Sequence, residues 1–595
     1  MNLDLAEKQF AAAMQRVKTE MDKKPKQVEL QLLTVKILLA ENQRDQAEAT
    51  LLKALEMDPE NQGTYLLLAQ LYHDSRQNAK ALAQLAAAVA KDPKNISAMM
   101  LAATIHSDDK DYQRAADDYE KLLLVSPKCS PALNNLAYLY SENLGRLDRA
   151  YELAQHAREL LPFDPSAADT LGWICFKRGT YPTALALLKE SAAKLPGEAE
   201  VQFHLGMADY MTGDETAARD ALQRALQSGA AFLGRDECQR CLAILAINPK
   251  SADAAARTLL EKRVAEKSDD PVAQGRLAVI YQQEGNSAKA IAAYKSVLQV
   301  NPKNLAALVG LARLYAPQDV QKAYDFAKSA YQLAPDNSDV VQIFARLAFQ
   351  SGDSKLAANL LRQIVQARPD DAQADFDFAQ ATYSIGKITE AQTAMQNALR
   401  LGLPTAQADQ ARRMLEMIDL AANPAAAAAA SSRVAEILKA EPDNVPALMA
   451  QAALKESNGD APAAALVCEK VLSRWPDFAP AQKQLARLCA ADATKIDKAY
   501  ALATKARAAY PDDPAVAKTM GVILIQKGDF SRAVNVLKES AAKNSADAEV
   551  FFYLGTAQLQ LKNRAESKRC LQQALDLKLS GQQADAAKQM LNGLK

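Results

Sequence analysis

The chain has 595 residues, with 71 basic and 71 acidic side chains, 49% apolar residues and only 6% aromatics. At that length a single hydrophobic core stops growing, so the core must be divided among several units, and the balanced charge supplies no global field to draw in nucleic acid or an anionic membrane. Few glycines and prolines beside abundant alanine favour helices packed closely through small side chains and fit strand-rich folds poorly.

No apolar run is long enough to span a bilayer, and Met1–Phe10 lacks a charged-then-apolar export pattern. The seven cysteines are odd in number and sit mostly at apolar helix positions, where a free thiol behaves as a small hydrophobe. They suggest a soluble protein without a disulfide framework, which leaves a bacterial cytoplasm or periplasm open.

In chain order, residues 5–24 read as the second helix of a hairpin whose first helix is missing, with Phe10 and Val17 offered to a preceding neighbour. Residues 1–25 are therefore a cap or the remnant of a truncated repeat. From Pro25 a period sets in: Pro25, Pro59, Pro93 and Pro127 are each 34 residues apart, followed by Pro162 and Pro196. The series resumes at Pro302, Pro335, Pro369, Pro442, Pro476 and Pro511. Twelve residues before each of these after the first stands an alanine, as at Ala47, Ala184, Ala323, Ala430 and Ala499. Earlier in each unit a large residue followed by Ala or Gly, as in Leu68-Ala69, Leu171-Gly172, Leu205-Gly206 and Met520-Gly521, marks the facing side of a helix–helix contact. Between the two lies a turn, commonly with glycine where a helix ends left-handed: Gly145, Gly179, Gly213, Gly285, Gly352, Gly386, Gly459 and Gly528.

This pattern resembles the tetratricopeptide repeat (TPR) family, whose units are helical hairpins of this period. Residues 163–196 carry it with Leu171, Gly172, Gly179, Ala184, Leu188 and Pro196 in register. About fourteen units are identified, and the resemblance implies an all-α, right-handed α-solenoid. In the last unit Ser545 replaces the closing proline and Ser567 the hairpin alanine.

A longer period overlies the short one. The segments starting at Asn135, Gly310 and Gln484 match, as do Arg149-Ala-Tyr151, Lys322-Ala-Tyr324 and Lys498-Ala-Tyr500. The chain is thus read as three related modules, 26–245, 246–418 and 419–595, each ending in an extra helix: Phe232–Leu245, Thr405–Ile418 and Gly581–Leu594. The second and third open on a helix without a clear hairpin partner, Ala252–Ala265 and the low-complexity Ala425–Lys439.

Few motifs carry chemistry. Cys238-Gln-Arg-Cys241 lacks the further ligands a structural metal site needs, and His73, His106, His156 and His204 have no metal or catalytic spacing. No phosphate loop or nucleophile elbow is present. The expectation is no enzyme, no metal and no cofactor. Trp475, beside Pro476, is read as packing between hairpins.

In a TPR superhelix the first helix of each hairpin lines the concave face. The resemblance then implies a peptide-binding groove with Asn134, Asn135, Tyr138, Asp169, Thr170, Trp173, Phe203, His204 and Met207 in the first module, a surface suited to stacking and to pairing with extended backbone. The second module presents Arg276, Arg313, Gln342 and Arg346, and the third Lys483, Gln484, Arg487, Lys518 and Thr519. Both rows are basic and suit an acidic segment. The two-carboxylate clamp of chaperone-binding TPR domains is not reproduced. Ala132–Tyr138 with Ala168–Trp173 looks like bacterial envelope TPR proteins, including those accompanying exopolysaccharide export and PEP-CTERM sorting. The reading is a non-catalytic scaffold for proteins or extended peptides, with no nucleic-acid partner and no membrane insertion; the alternative is the TPR arm of a larger bacterial enzyme or of a polysaccharide or protein export machine.

Overall fold

A computed structural model describes residues 9–424 and 430–594. Among these, every regular element is a helix, and fourteen antiparallel helix pairs follow one another from Val28–Ala40 with Arg44–Met57 to Ala548–Gln560 with Arg564–Asp576. The chain divides into two compact units, residues 1–304 and 305–595. The first holds a leading helix, Phe10–Lys23, six pairs up to Gln227, the single helices Arg235–Leu245 and Ala254–Glu266, and the pair Pro271–Gln283 with Ser287–Val300. The second holds three pairs up to Leu401, the single helices Thr405–Ala422 and Ala430–Ala440, four further pairs and a closing helix, Gly581–Asn592. Residues 425–429 of the expected helix Ala425–Lys439, and the side chain of the hairpin alanine Ala430, lie outside the described residues.

Each pair is held by a close approach of small residues. Ala184, Ala218 and Ala533 are fully buried, and the glycines twelve residues before them, Gly172, Gly206 and Gly521, have no room for a side chain. A methyl on Gly172 would lie 2.8 Å from Leu188 Cγ, and one on Gly206 2.7 Å from Leu222 Cγ. In the last pair Ser567 fills the alanine position, fully buried, and its hydroxyl donates to the Gly555 carbonyl at 2.8 Å. The bond satisfies a group that would otherwise be costly to bury.

In twelve of the fourteen pairs the turn ends the first helix left-handed, at φ +67° to +98° for the eight expected glycines. In four of them another residue takes the position: Asn42, Arg76, Lys110 and Lys562 hold φ between 57° and 62°, a conformation that costs a non-glycine residue roughly 1–2 kcal/mol. The turns after Tyr315 and Ala490 do without it. Most turns between pairs carry Asn or Asp at the first residue before the helix, Cys129, Glu198 and Phe478 being exceptions, and Asn61, Asn95, Asp164, Asp270, Asp371 and Asn444 accept from free N–H groups of the next first turn.

The leading helix buries Ala13 and Val17 against Ile37, with Phe10, Met14 and Met21 packed alongside. Val17 therefore faces the pair that follows it in sequence. In both units, segments far apart in sequence also meet. Asn301 Nδ2 donates to the Thr212 carbonyl at 2.7 Å. In the second unit Tyr510 lies against Gly386, and the rings of Tyr383 and Phe478 are 5.5 Å apart.

Two substitutions check this account. Gly206→Val should wedge its pair apart and cost roughly 1–3 kcal/mol, read as faster amide exchange confined to residues 199–227 and their neighbours. Lys110→Gly should stabilise by up to about 1 kcal/mol, the left-handed strain relieved less the extra backbone entropy of glycine, read as a raised melting temperature of the first unit.

Candidate peptide-binding groove

In the first unit the expected groove residues come together on the helices Ser130–Glu142, Pro165–Lys177 and Ala199–Thr212, but they bind mainly one another. Trp173 is sandwiched between Phe176, with centroids 4.6 Å apart, and His204, at 4.1 Å. Its indole N–H donates to Glu142 at 2.8 Å, so both faces and the edge are taken. His204 Nδ1 lies 3.0 Å from Asp169, and the Tyr138 hydroxyl donates to Glu200 at 2.7 Å. Burial and the carboxylates of Glu200, Glu142 and Asp169 push the Tyr138 phenol up, keeping it a donor. Asn135 is exposed and donates to the Tyr119 hydroxyl at 3.3 Å, Asn134 is half-buried, and Thr170 is buried.

Phe203 and Met207 are covered by the chain itself. The ring of Phe203 packs into the cradle of Gly234 and lies 5.5 Å from Phe232, and the Met207 sulfur is 3.8 Å from Cys241. The helix Arg235–Leu245 thus occupies the place a ligand would take. Burial raises the Cys238 thiol to about 11 and pushes Cys241 higher still, which disfavours the thiolate that redox or metal chemistry needs.

Arg276 belongs to the same junction. Only 8% exposed, it forks onto Glu215 through two bonds of 2.8 Å and donates to the carbonyls of Ile247 and Leu245. Beside it Arg263 joins Glu237 at 2.5 Å and Asp270 at 2.7 Å, and Asp270 also accepts from the Tyr210 hydroxyl at 2.9 Å. Burial pushes the Glu237 carboxyl up, and Arg263 more than reverses this, holding it below the usual carboxylate range.

In the second unit the expected cations separate into two groups. Those beyond residue 480 are matched by acids from adjoining pairs: Lys483 by Asp513, Arg487 by Glu456, and Lys518 by Asp547 and Glu549, the last two at 2.9 Å each. Burial pushes the Asp513 carboxyl up, and Lys483 with two backbone N–H groups brings it below its ordinary value. Gln484 donates to Glu456 at 3.0 Å, and the buried Thr519 hydroxyl bonds back to Ala515. Arg346 is 2.7 Å from Asp377, whose carboxyl burial nonetheless holds above its usual range. Arg313 is exposed and has no ion pair or hydrogen bond among the described residues.

Around Arg313 the second unit is hollow. A cavity of about 490 Å³ is lined by Arg313, Gln342, Arg346, Gln350, Arg368 and Gln373 among others. A larger one of about 1410 Å³ shares Gln350 and Ala316 with it and extends past Gln380, Tyr383, Gln410 and Met414 to Trp475. Trp475 is half-buried, packs on the core of the unit, and carries the Arg474 guanidinium 5.1 Å above its ring.

A sequence model described as tetratricopeptide repeat matches residues 32–96, 100–165, 170–231 and 276–338, and a second of the same description matches 314–375 and 490–550. Together they cover more than half of the chain. The chain belongs to the tetratricopeptide repeat family. A TPR repeat-containing protein of Pseudomonas aeruginosa is 33% identical over 89 residues, 15% of this chain and 15% of that protein. Cellulose synthase operon protein C of Pseudomonas fluorescens is 31% identical over 119 residues, 20% of this chain and 9% of that protein. Each curated relative is thus matched over a small fraction of its own length. Among solved structures, YrrB, described as a TPR protein with an unusual peptide-binding site, is 21% identical, with 32% of this chain and 97% of that one covered and a TM-score of 0.27.

TPR proteins are interaction scaffolds as a class, and no helix of the described residues is long and apolar enough to cross a membrane. The TPR pattern picked out the cations Lys483, Arg487 and Lys518 but not the acids that pair with them. The signal was present: Asp513 and Asp547 stand where each next helix begins, so one carboxylate caps that helix and reaches back to a lysine.

The junction has a pH signature. Arg263→Met would strand Glu237 and Asp270 and should cost about 3–5 kcal/mol at neutral pH. The folded Glu237 titrates below its unfolded value of about 4.3, so its contribution is complete above that pH and disappears as pH falls through the folded value. Calorimetric melting of the first unit should therefore show the variant's deficit narrowing from pH 7 to below about pH 4.

Proposed function

We propose that the chain is a non-catalytic scaffold that holds an extended segment of a partner protein along the inner face of its second unit. The observation that carries this reading is the pair of adjoining cavities, which share Ala316 and Gln350. The larger, at about 1410 Å³, exceeds the roughly 300–1,000 Å³ of ordinary small-molecule pockets and suits several residues of polypeptide. Its lining combines primary amides, which can pair with peptide N–H and C=O groups, with the aromatic residues Phe349, Tyr383 and Trp475. Of the eighteen inner-face positions expected to bind, Arg313, Gln342 and Arg346 are retained as ligand-facing. Phe203, Met207 and Arg276 are assigned to packing, and the paired cations Lys483, Arg487 and Lys518 to contacts between neighbouring hairpins.

A second reading, the arm of a bacterial polysaccharide or protein export machine, is favoured by the similarity to cellulose synthase operon protein C. It is compatible with the first, since such an arm would also work by gripping partner proteins. Co-purification of the chain with envelope export components from the native bacterium would support it, and exclusively unrelated partners would dismiss it.

Gln380→Trp, at a half-buried position lining the larger cavity, should fill the groove and weaken capture of partner proteins at least about 10-fold, the equivalent of about 1.4 kcal/mol, with helicity unchanged. Asn135→Ala, in the first unit, should leave capture intact. The reverse pattern in a quantitative pull-down would move the site to the first unit.

A further inference from the structure

We infer that the segment bound by the second unit is bipartite: an aspartate or glutamate side chain seated at Arg313, and a large apolar side chain several residues away seated in the cavity beside Tyr383, Met414 and Trp475. This rests on the proposed peptide-binding role of that unit and specifies the composition of its ligand.

The acidic half follows from a census of charge. The smaller cavity is lined by three guanidinium groups, from Arg313, Arg346 and Arg368. Two are already answered: Arg346 by the buried Asp377 at 2.7 Å, and Arg368 by Asp339 at 2.9 Å. Arg313 alone is left without a carboxylate among the described residues. One unanswered guanidinium matches one carboxylate, as a two-bond fork. A doubly charged phosphoryl group would find a single free cation and two carboxylates, Asp339 and Asp371, in the same lining. The census therefore favours a singly charged group. Nearby Gln342 and Gln373 supply neutral amides for the adjoining backbone.

The apolar half follows from the prior engagement of the larger cavity's carboxylates. Its carboxylates are occupied: Glu441 lies 3.3 Å from Arg413, Asp443 is paired with Arg474, Asp477 lies 3.0 Å from Lys505, and Asp353 caps the helix at Leu356. What remains to meet a ligand is aromatic, thioether and amide surface, which gains most from an apolar side chain flanked by backbone. The smaller cavity lies against the helices Leu305–Tyr315 and Ser338–Gln350, and the larger reaches Thr405–Ala422. Neighbouring helices pack about 8–10 Å apart, and Tyr383, on Ala372–Ser384, and Met414, on Thr405–Ala422, stand two and three such steps from the helix of Arg313, which corresponds to about five to nine residues of extended chain.

The test is selection of a phage-displayed library of random peptides on the full chain, followed by fluorescence anisotropy of the selected peptides as labelled synthetic copies. The expected peptides carry Asp or Glu about five to nine residues from Phe, Tyr, Trp or Leu. Arg313→Ala should weaken them about 10-fold, and should have no effect on copies in which the acid is replaced by its amide. Gln380→Trp should abolish binding of both, while circular dichroism shows each variant folded. If binding is lost in Gln380→Trp but depends neither on Arg313 nor on the peptide's acid, the bipartite ligand is overturned and the groove stands. If no peptide is selected, or the selected ones bind Gln380→Trp unchanged, the groove itself is overturned and this inference with it.

Discussion

The architecture depends on one contact repeated along the chain: a glycine or alanine on the first helix of each pair pressed against an alanine on the second. Because neither residue has a side chain beyond a methyl group, the two backbones approach closely enough for the larger neighbours, such as Leu188 against Gly172 and Leu222 against Gly206, to fill the remaining space. Dispersion forces reward that fit only at near-contact distances. Every other feature follows from the fixed geometry of this pair. The second helix presents a constant surface to the next pair, the loop reaches the next helix start at a constant offset, and inner-face positions recur at the same interval. Ser567 marks the limit of the rule, since a polar atom is admitted there only because Gly555 offers it an acceptor.

Much of this was readable from the letters alone. Alanine and proline spacing gave the pairs, since both residues act through steric constraints local to one hairpin. The left-handed turns at Arg76 and Lys110 were not marked by their own residue type, because the surrounding pair imposes a backbone that glycine would merely adopt more easily. The groove was harder to read. Inner-face positions could be listed, but whether a given one meets solvent, an acid or another helix depends on contacts between residues far apart in sequence. Arg276 and Phe203 occupy the same kind of position as Arg313. They are buried because Glu215 and Gly234 are brought to them by the folding of the junction, and no local pattern announces this.

The units also differ in which groups they leave open. Around Trp173 the network of Glu142, Asp169, His204, Tyr138 and Glu200 spends its donors internally and leaves one buried oxygen of Asp169 without a donor. Around Arg313 the network is left one carboxylate short. Because Arg313 is exposed, water solvates it at little cost, and its guanidinium stays open to a carboxylate from outside.

Hairpin junctions at matching positions of the long sequence period carry different polar pairs: Asp169 with His204, Arg346 with Asp377, and Lys518 with Asp547 and Glu549. Repeated sequences are prone to docking the wrong copy of a unit while they fold, since each copy offers a similar apolar face. Here a hairpin from one module seated on its counterpart in another would often set like charges together or leave a buried ion without its mate. Divergent pairs at matching positions therefore disfavour docking of the wrong copy in a chain otherwise full of near-duplicates.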